Sequence, residues 1–377
     1  MEIYMKVVAA IDSFKGSMTS MEAGNAVKKG ILAAKPDAEV VVNPLADGGE
    51  GTVDALIEGL GAEKIPVTVA GPLGEKVSCY YGFLEETKTA VMEMASAAGI
   101  TLVIKKDPLR ASTYGVGEMI ADALKRGCKN FMIGIGGSAT NDGGIGMLKA
   151  LGFEFFDEDG NDVGEGAAAL VKIEVIRTEN KNPLLSGAKF QIACDVKNPL
   201  CGKQGATYIF GPQKGVTEEQ KEQVDEAMRH YADVTKESLD CDFADCEGAG
   251  AAGGLGYAFL SYLAGELIPG VELILQATGL EEKMKNADVV VTGEGRLDAQ
   301  TVMGKAPAGV AALAKKYNAK VIAFAGSVAP EAKVCNRAGI DAFFPIVRGV
   351  TTLEEAMKKE NAMENIAATA EQVFRLL

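Results

Sequence analysis

Residues 6–12 read KVVAAID, an apolar run of the kind found in a strand buried on both faces. A polar loop, Ser13-Phe14-Lys15-Gly16-Ser17, follows it. Thr19-Ser20-Met21-Glu22 then forms a capping box that opens a helix to about Lys35. A second apolar run, 39–46, passes through Asp47-Gly48-Gly49-Glu50-Gly51 into a helix ending near Leu60. Strand, loop, helix, strand, loop, helix is the signature of a doubly wound parallel sheet. That order constrains the fold more than any other feature of the chain.

The pattern then changes. Residues 66–101 read as short strands with turn signals, including 77–84 and 89–93. From Ser112 strands and helices alternate again, with a helix to Arg126, a strand at 130–136, a glycine-rich loop and a helix at 143–151. Residues 153–163 resemble a hairpin turning at Asp159-Gly160, and 189–196 (KFQIACDV) form a strand ending on Asp195. A second capping box, Thr217-Glu218-Glu219-Gln220, opens a charged helix, and the small residues of 249–263 suggest a tightly packed one. The segments 287–292, 320–325 and 342–346 are strands alternating with helices.

The expected architecture is α/β. A doubly wound, mostly parallel sheet domain of the Rossmann or flavodoxin kind takes both chain ends, as 1–66, 110–150 and 285–377. A second mixed α/β domain, 67–109 with 151–284, is inserted discontinuously, with the active site expected in the cleft between the two. With 377 residues, 47% of them hydrophobic, two cores can be filled.

The formal charge of −14 argues against nucleic acid, whose phosphates need a basic face. It also means that an anionic ligand must be held by a few local cations and by backbone N–H groups. The seven cysteines are scattered and form no C-x-x-C pair, so neither a disulfide framework nor a zinc knuckle is indicated. The first apolar stretch is too short for a signal peptide, and none approaches a membrane span of ~18 residues. A cytoplasmic protein, without a membrane or nucleic-acid partner and either monomeric or homodimeric, is expected. His230 stands alone in a charged helix, which removes catalytic triads and histidine-ligated zinc together. Carboxylates, lysines, arginines and backbone dipoles must carry the chemistry.

Several polar loops follow apolar strands, at the end of the strand where open α/β sheets bind ligands. Gly134-Ile135-Gly136-Gly137-Ser138-Ala139 superficially matches a dinucleotide-binding turn, but continues through Thr140-Asn141-Asp142-Gly143-Gly144 and lacks a matching ribose-binding acid. Such a loop suits an anion, and its alternative is a tight turn with glycines for packing. Lys15 is either a phosphate-binding cation or a solvated lysine. Asp47 and Glu50 could bind Mg²⁺ or a hydroxyl, or cap the next helix.

Asp195, in Cys194-Asp195-Val196-Lys197-Asn198-Pro199, is a candidate general base or an Asx turn. Lys214 sits in the turn Gly211-Pro212-Gln213-Lys214-Gly215. Thr292-Gly293-Glu294-Gly295-Arg296-Leu297-Asp298 offers two carboxylates and an arginine for bidentate anion recognition, or a structural ion-pair cluster. Charged glycine-rich loops without histidine suit phosphoryl transfer, where catalysis is largely positioning and charge neutralisation. No P-loop motif is present, because Gly304-Lys305 is followed by Ala306 and lacks the upstream glycine.

Taken together, DSFKGS (12–17), ADGGEGT (46–52), STYGVGE (112–118), IGGSATNDGGIGM (135–147), CDVKNPLCGKQGA (194–206), FGPQKG (210–215), GAGAAGGLG (248–256) and TGEGRLD (292–298) resemble the bacterial glycerate kinase family. This is the type unrelated to P-loop, actin-like or ribokinase-like kinases. The resemblance spans nearly the whole chain in the family's order, without departure at the motif positions. It implies two domains, ATP as donor, Mg²⁺ as cofactor and D-glycerate as acceptor, with 2-phosphoglycerate the more frequent product and 3-phosphoglycerate the lesser alternative.

Laid over that resemblance, Asp195 is the expected base. Lys15, Lys214 and Arg296 neutralise phosphates or the glycerate carboxylate, with Asn198 beside them. Gly136, Gly137, Ser138, Thr140, Asn141 and Asp142 surround an anion, and Asp47, Glu294 or Asp298 hold Mg²⁺. An NAD(P)-dependent oxidoreductase using residues 134–139, or a non-catalytic ligand-binding protein, are the alternative readings.

Overall fold

The computed structural model describes residues 4–45 and 52–377. The chain divides into two compact units, one of residues 1–47, 54–61 and 271–377 and the other of 48–53 and 62–270.

In the first unit five strands form one parallel sheet. Lys6–Ile11 pairs on one side with Glu39–Pro44 and on the other with Val289–Leu297, beyond which lie Lys320–Val328 and Ala342–Pro345. In this unit's own chain order the spatial sequence is 2-1-3-4-5, the doubly wound arrangement whose switch point falls between the first and third strands. The central strands are apolar on both faces, with Val7, Val8, Ala9 and Val290, Val291 fully or almost fully buried, as a sheet covered by helices on both faces requires. The helix Ser20–Ala34 starts where its capping box predicts: Thr19 Oγ1 accepts from the Glu22 N–H at 3.2 Å, and Glu22 Oε2 accepts from the Thr19 N–H at 3.0 Å. It packs with Lys359–Phe374 against the sheet through Val27, Ile31, Ile366 and Phe374.

The second unit is built on a mixed six-stranded sheet. Glu266–Ile268, Lys189–Ala193, Asn130–Gly134 and Thr89–Glu93 run parallel, and Lys76–Leu84 and Glu63–Ala70 add an antiparallel edge. The expectation that 110–150 joins the chain-end sheet is at odds with this pairing. Asn130–Gly134 lies between Thr89–Glu93 and Lys189–Ala193, and its helix Tyr114–Lys125 packs on the Glu63–Ala70 strand. A buried parallel strand reads alike in either sheet, and its partners are chosen by packing distant in sequence.

The hairpin turning at Asp159-Gly160 is present as a short one, with Phe156 bridging Asp162 and the Val163 N–H donating to the Phe155 carbonyl at 3.2 Å, and Glu154–Phe156 forms its regular ladder with Val175–Arg177. The Thr217 capping box opens a short 3₁₀ turn before the helix Lys221–Leu239. On that helix His230 is half-buried, with Nε2 2.8 Å from the Ile173 carbonyl oxygen. Among the described residues no helix is long and apolar enough to cross a membrane.

Candidate active site

In the first unit the switch point holds a cavity of about 430 Å³. Its lining comes from the carboxyl ends of parallel strands, as the doubly wound topology dictates. After Lys6–Ile11 the chain continues to Asp12, whose N–H donates to the Gly293 carbonyl at 2.9 Å. It then folds back through reciprocal Phe14–Met18 backbone bonds, presenting Lys15 at an exposed bend. Asp12 is buried, and its Oδ1 accepts from the Ser13 N–H at 2.6 Å.

The Val289–Leu297 strand brings Glu294, Gly295 and Arg296 to the same cavity. Glu294 is buried and accepts from Thr301 Oγ1 at 2.7 Å, while Lys305 Nζ stands 3.5 Å from its other oxygen. Burial raises its carboxyl pKa, against the opposing pull of Thr301 and Lys305. Arg296 is largely exposed, with Nε 3.7 Å from Asp298 Oδ2. Asp298 Oδ1 accepts from the Gln300 N–H at 2.9 Å and so caps the turn Ala299–Val302. The TGEGRLD segment is therefore both an ion-pair cluster and a cavity wall.

The glycine-rich loop belongs to the second unit. Gly136 and Gly137 are exposed just beyond Asn130–Gly134. Ser138, Thr140, Asn141 and Asp142 are buried. The Asp142 carboxylate accepts from the N–H and Oγ1 of Thr113 and from the N–H groups of Gly144 and Gly146. Lys214 is 2% exposed, and its Nζ donates to the Thr140 carbonyl at 2.6 Å. Burial pushes the lysine down to about 7, with Asp142 opposing, and raises Asp142 in turn.

Asn141 Nδ2 donates to Thr207 Oγ1 at 3.0 Å, leaving Asn141 Oδ1 and Thr140 Oγ1 buried without partners among the described residues. Gly253 closes over this loop, and a Cβ there would stand 2.1 Å from the Thr140 oxygen, so only glycine permits the approach. Lys214 and the side chains of 140–142, expected to face a ligand, are thus enclosed by protein. Their charge and hydrogen bonds set the loop's shape, and the exposed part is Gly136-Gly137.

Asp195 is exposed just past Lys189–Ala193, and its Oδ1 accepts from the Gly270 N–H at 2.9 Å. Asn198 Nδ2 donates to the Gln204 carbonyl at 2.7 Å. Asp47 lies outside the described residues. Among the described residues no three histidine, cysteine, aspartate or glutamate side chains gather as a metal cage. Glu294 and Asp298 both line the cavity of the first unit. Such a pair fits Mg²⁺, which takes one or two carboxylates and completes its shell with phosphate oxygens and water. Sequence reasoning did not single out Asp12, Ser17, Lys305 or the wall formed by residues 346–365. Asp12 and Ser17 were visible at the two ends of the DSFKGS stretch without being given a role; Lys305 and the 346–365 wall carry no local signal. The dinucleotide-like match at 134–139 lacks its helix, which begins only at Ile145 and ends at Ala150.

A doubly wound parallel sheet whose switch-point cavity is lined by cations and carboxylates places this chain among α/β proteins that take ligands at the carboxyl ends of their strands. The model of the glycerate kinase family matches residues 7–377. The chain is 44% identical over 371 residues to the glycerate kinase of Bacillus subtilis (strain 168), covering 98% of this chain and 97% of that protein. It is 45% identical over 372 residues to the glycerate 2-kinase of Escherichia coli (strain K12), covering 97% and 98%. The crystal structure of a protein provisionally named glycerate kinase 2, from Salmonella typhimurium LT2, superposes with a TM-score of 0.91 at 43% identity, covering 99% of this chain and 98% of that one. The chain belongs to the glycerate kinase family and is a kinase.

Proposed function

We propose that the protein transfers the γ-phosphoryl group of ATP to the 2-hydroxyl of D-glycerate, giving 2-phosphoglycerate and ADP. The observation that carries this reading is the 45% identity, over 97% of the chain, to a glycerate 2-kinase. Asp195 is the proposed base: it is exposed at the end of a parallel strand and steadied by the Gly270 N–H, so it can take the hydroxyl proton as the substrate oxygen attacks phosphorus and later release it to water. Lys15 and Arg296 offset charge on the phosphates or the glycerate carboxylate. The N–H groups of Gly136 and Gly137 are offered to an anionic oxygen. Mg²⁺, assigned to Asp47, Glu294 or Asp298, would neutralise phosphate charge when bound.

The test is ADP release from ATP and Mg²⁺ with D-glycerate, the product being resolved as 2- or 3-phosphoglycerate by phosphorus NMR. Glycerate-dependent turnover with 2-phosphoglycerate is expected. Turnover yielding only 3-phosphoglycerate overturns the regiochemistry, and turnover only with another hydroxy acid overturns the substrate.

A further inference from the structure

The cavity of the first unit has two unlike sides. Its polar side carries three cations, Lys15 and Arg296 near strand ends and Lys305 at the start of the helix Ala306–Lys316, together with the carboxylates of Asp12, Glu294 and Asp298. Phe14, Ile346, Val347, Leu353 and Met357 supply an apolar wall. Leu353 is 76% exposed and Met357 37%, so this wall presents apolar surface that a bound group would remove from water. Glycerate bears an oxygen on every carbon and has no apolar face to lay against it. A purine has two apolar faces and a polar edge.

Two polar groups fit the same occupant. Ser17 lines the cavity, and its Oγ is buried without a hydrogen-bond partner among the described residues. Asn365 brings an amide, donor and acceptor together, to the apolar side, as the edge of a base requires. The volume of about 430 Å³ falls among small-molecule pockets, which run roughly from 300 to 1,000 Å³, and exceeds what a three-carbon acid fills.

Resting on the reading of the chain as an ATP-dependent kinase, we propose that this cavity is the nucleoside-binding site. The adenine ring lies against Ile346, Val347, Leu353 and Met357, and the phosphates extend to Lys15, Arg296 and Lys305. Glycerate is held elsewhere.

Calorimetric titration of the full chain with ADP, without glycerate, tests this directly. The wild type binds ADP. Ala356→Trp fills the cavity from a partly exposed helical position and weakens ADP by roughly tenfold or more, and Leu353→Ala, at an exposed site that does not threaten folding, weakens it by roughly threefold to tenfold. KM for ATP rises in parallel in both variants, while KM for glycerate stays within about twofold. Unchanged ADP affinity in both variants, or a rise confined to the glycerate KM, overturns the assignment and leaves the kinase reading standing. ADP binding that both variants weaken, in a protein that turns over no glycerate, supports the nucleoside site and removes the substrate reading instead.

Discussion

Thr113 gives Asp142 two hydrogen bonds at once: its backbone N–H and its Oγ1 each donate to Asp142 Oδ2 at 2.8 Å. The same Oγ1 accepts from the Met147 N–H at 2.9 Å. One buried threonine and one buried carboxylate therefore tie the start of the helix Tyr114–Lys125 to the glycine-rich loop and to the helix Ile145–Ala150. Gly144, at φ +80°, turns its N–H toward the carboxylate, and a Cβ there would meet Ala258 at 2.4 Å.

Replacing Asp142 with asparagine puts an amide NH₂ where one of the carboxylate oxygens accepts from the Thr113, Gly144 and Gly146 donors. Asp142→Asn is expected to lower stability by about 2 kcal/mol, seen as a lower denaturant midpoint with unchanged secondary structure. Turnover should fall with it, because the loop presenting Gly136 and Gly137 loses its anchor. An unchanged midpoint would show that the carboxylate does not hold the loop.

Lys214 makes the second unit sensitive to pH. Burial brings its ammonium from an ordinary 10.5 down to about 7, so between those values the unfolded chain binds a proton that the folded one has released. Stability from this group is fully present above 10.5 and is lost as pH falls toward about 7. Lys214→Met removes the titrating group. Its melting temperature should vary less between about pH 7 and 10 than that of the wild type, whatever its absolute stability. Parallel pH profiles would mean that the lysine titrates as an exposed one.

Asp195→Asn separates catalysis from folding. The asparagine keeps an oxygen for the Gly270 N–H, and the residue is exposed, so melting should be unchanged. Turnover should drop by ~10²–10⁴-fold if this carboxylate takes the hydroxyl proton. Steady-state assays showing near-normal kcat would remove Asp195 from that role.

The local parts of this protein were legible without its structure. The Thr19 and Thr217 capping boxes lie where their spacing places them, because a cap is a contact between residues three apart. The strands from Lys6, Asn130, Lys189, Lys320 and Ala342 were visible as apolar runs, because strands covered on both faces leave that trace. The motif order alone carried the resemblance to the glycerate kinase family.

Tertiary structure decided what depends on distant partners. Which sheet receives Asn130–Gly134 is set by its pairing with Thr89–Glu93 and Lys189–Ala193, and no local pattern encodes that choice. Lys214 and Asp142 read as charges offered to a ligand, yet packing encloses both, and burial rather than residue type determines whether an ammonium meets a phosphate or a main-chain carbonyl. The apolar wall of Ile346, Leu353 and Met357 exists only because a short helix near the chain's end folds beside the first strand's loop, where Met357 Cε would stand 3.0 Å from a Cβ on Gly16. Sequence determines the elements through short-range hydrogen bonding and periodicity; the site is made of contacts spanning nearly the whole chain, and only the folded packing brings those residues together.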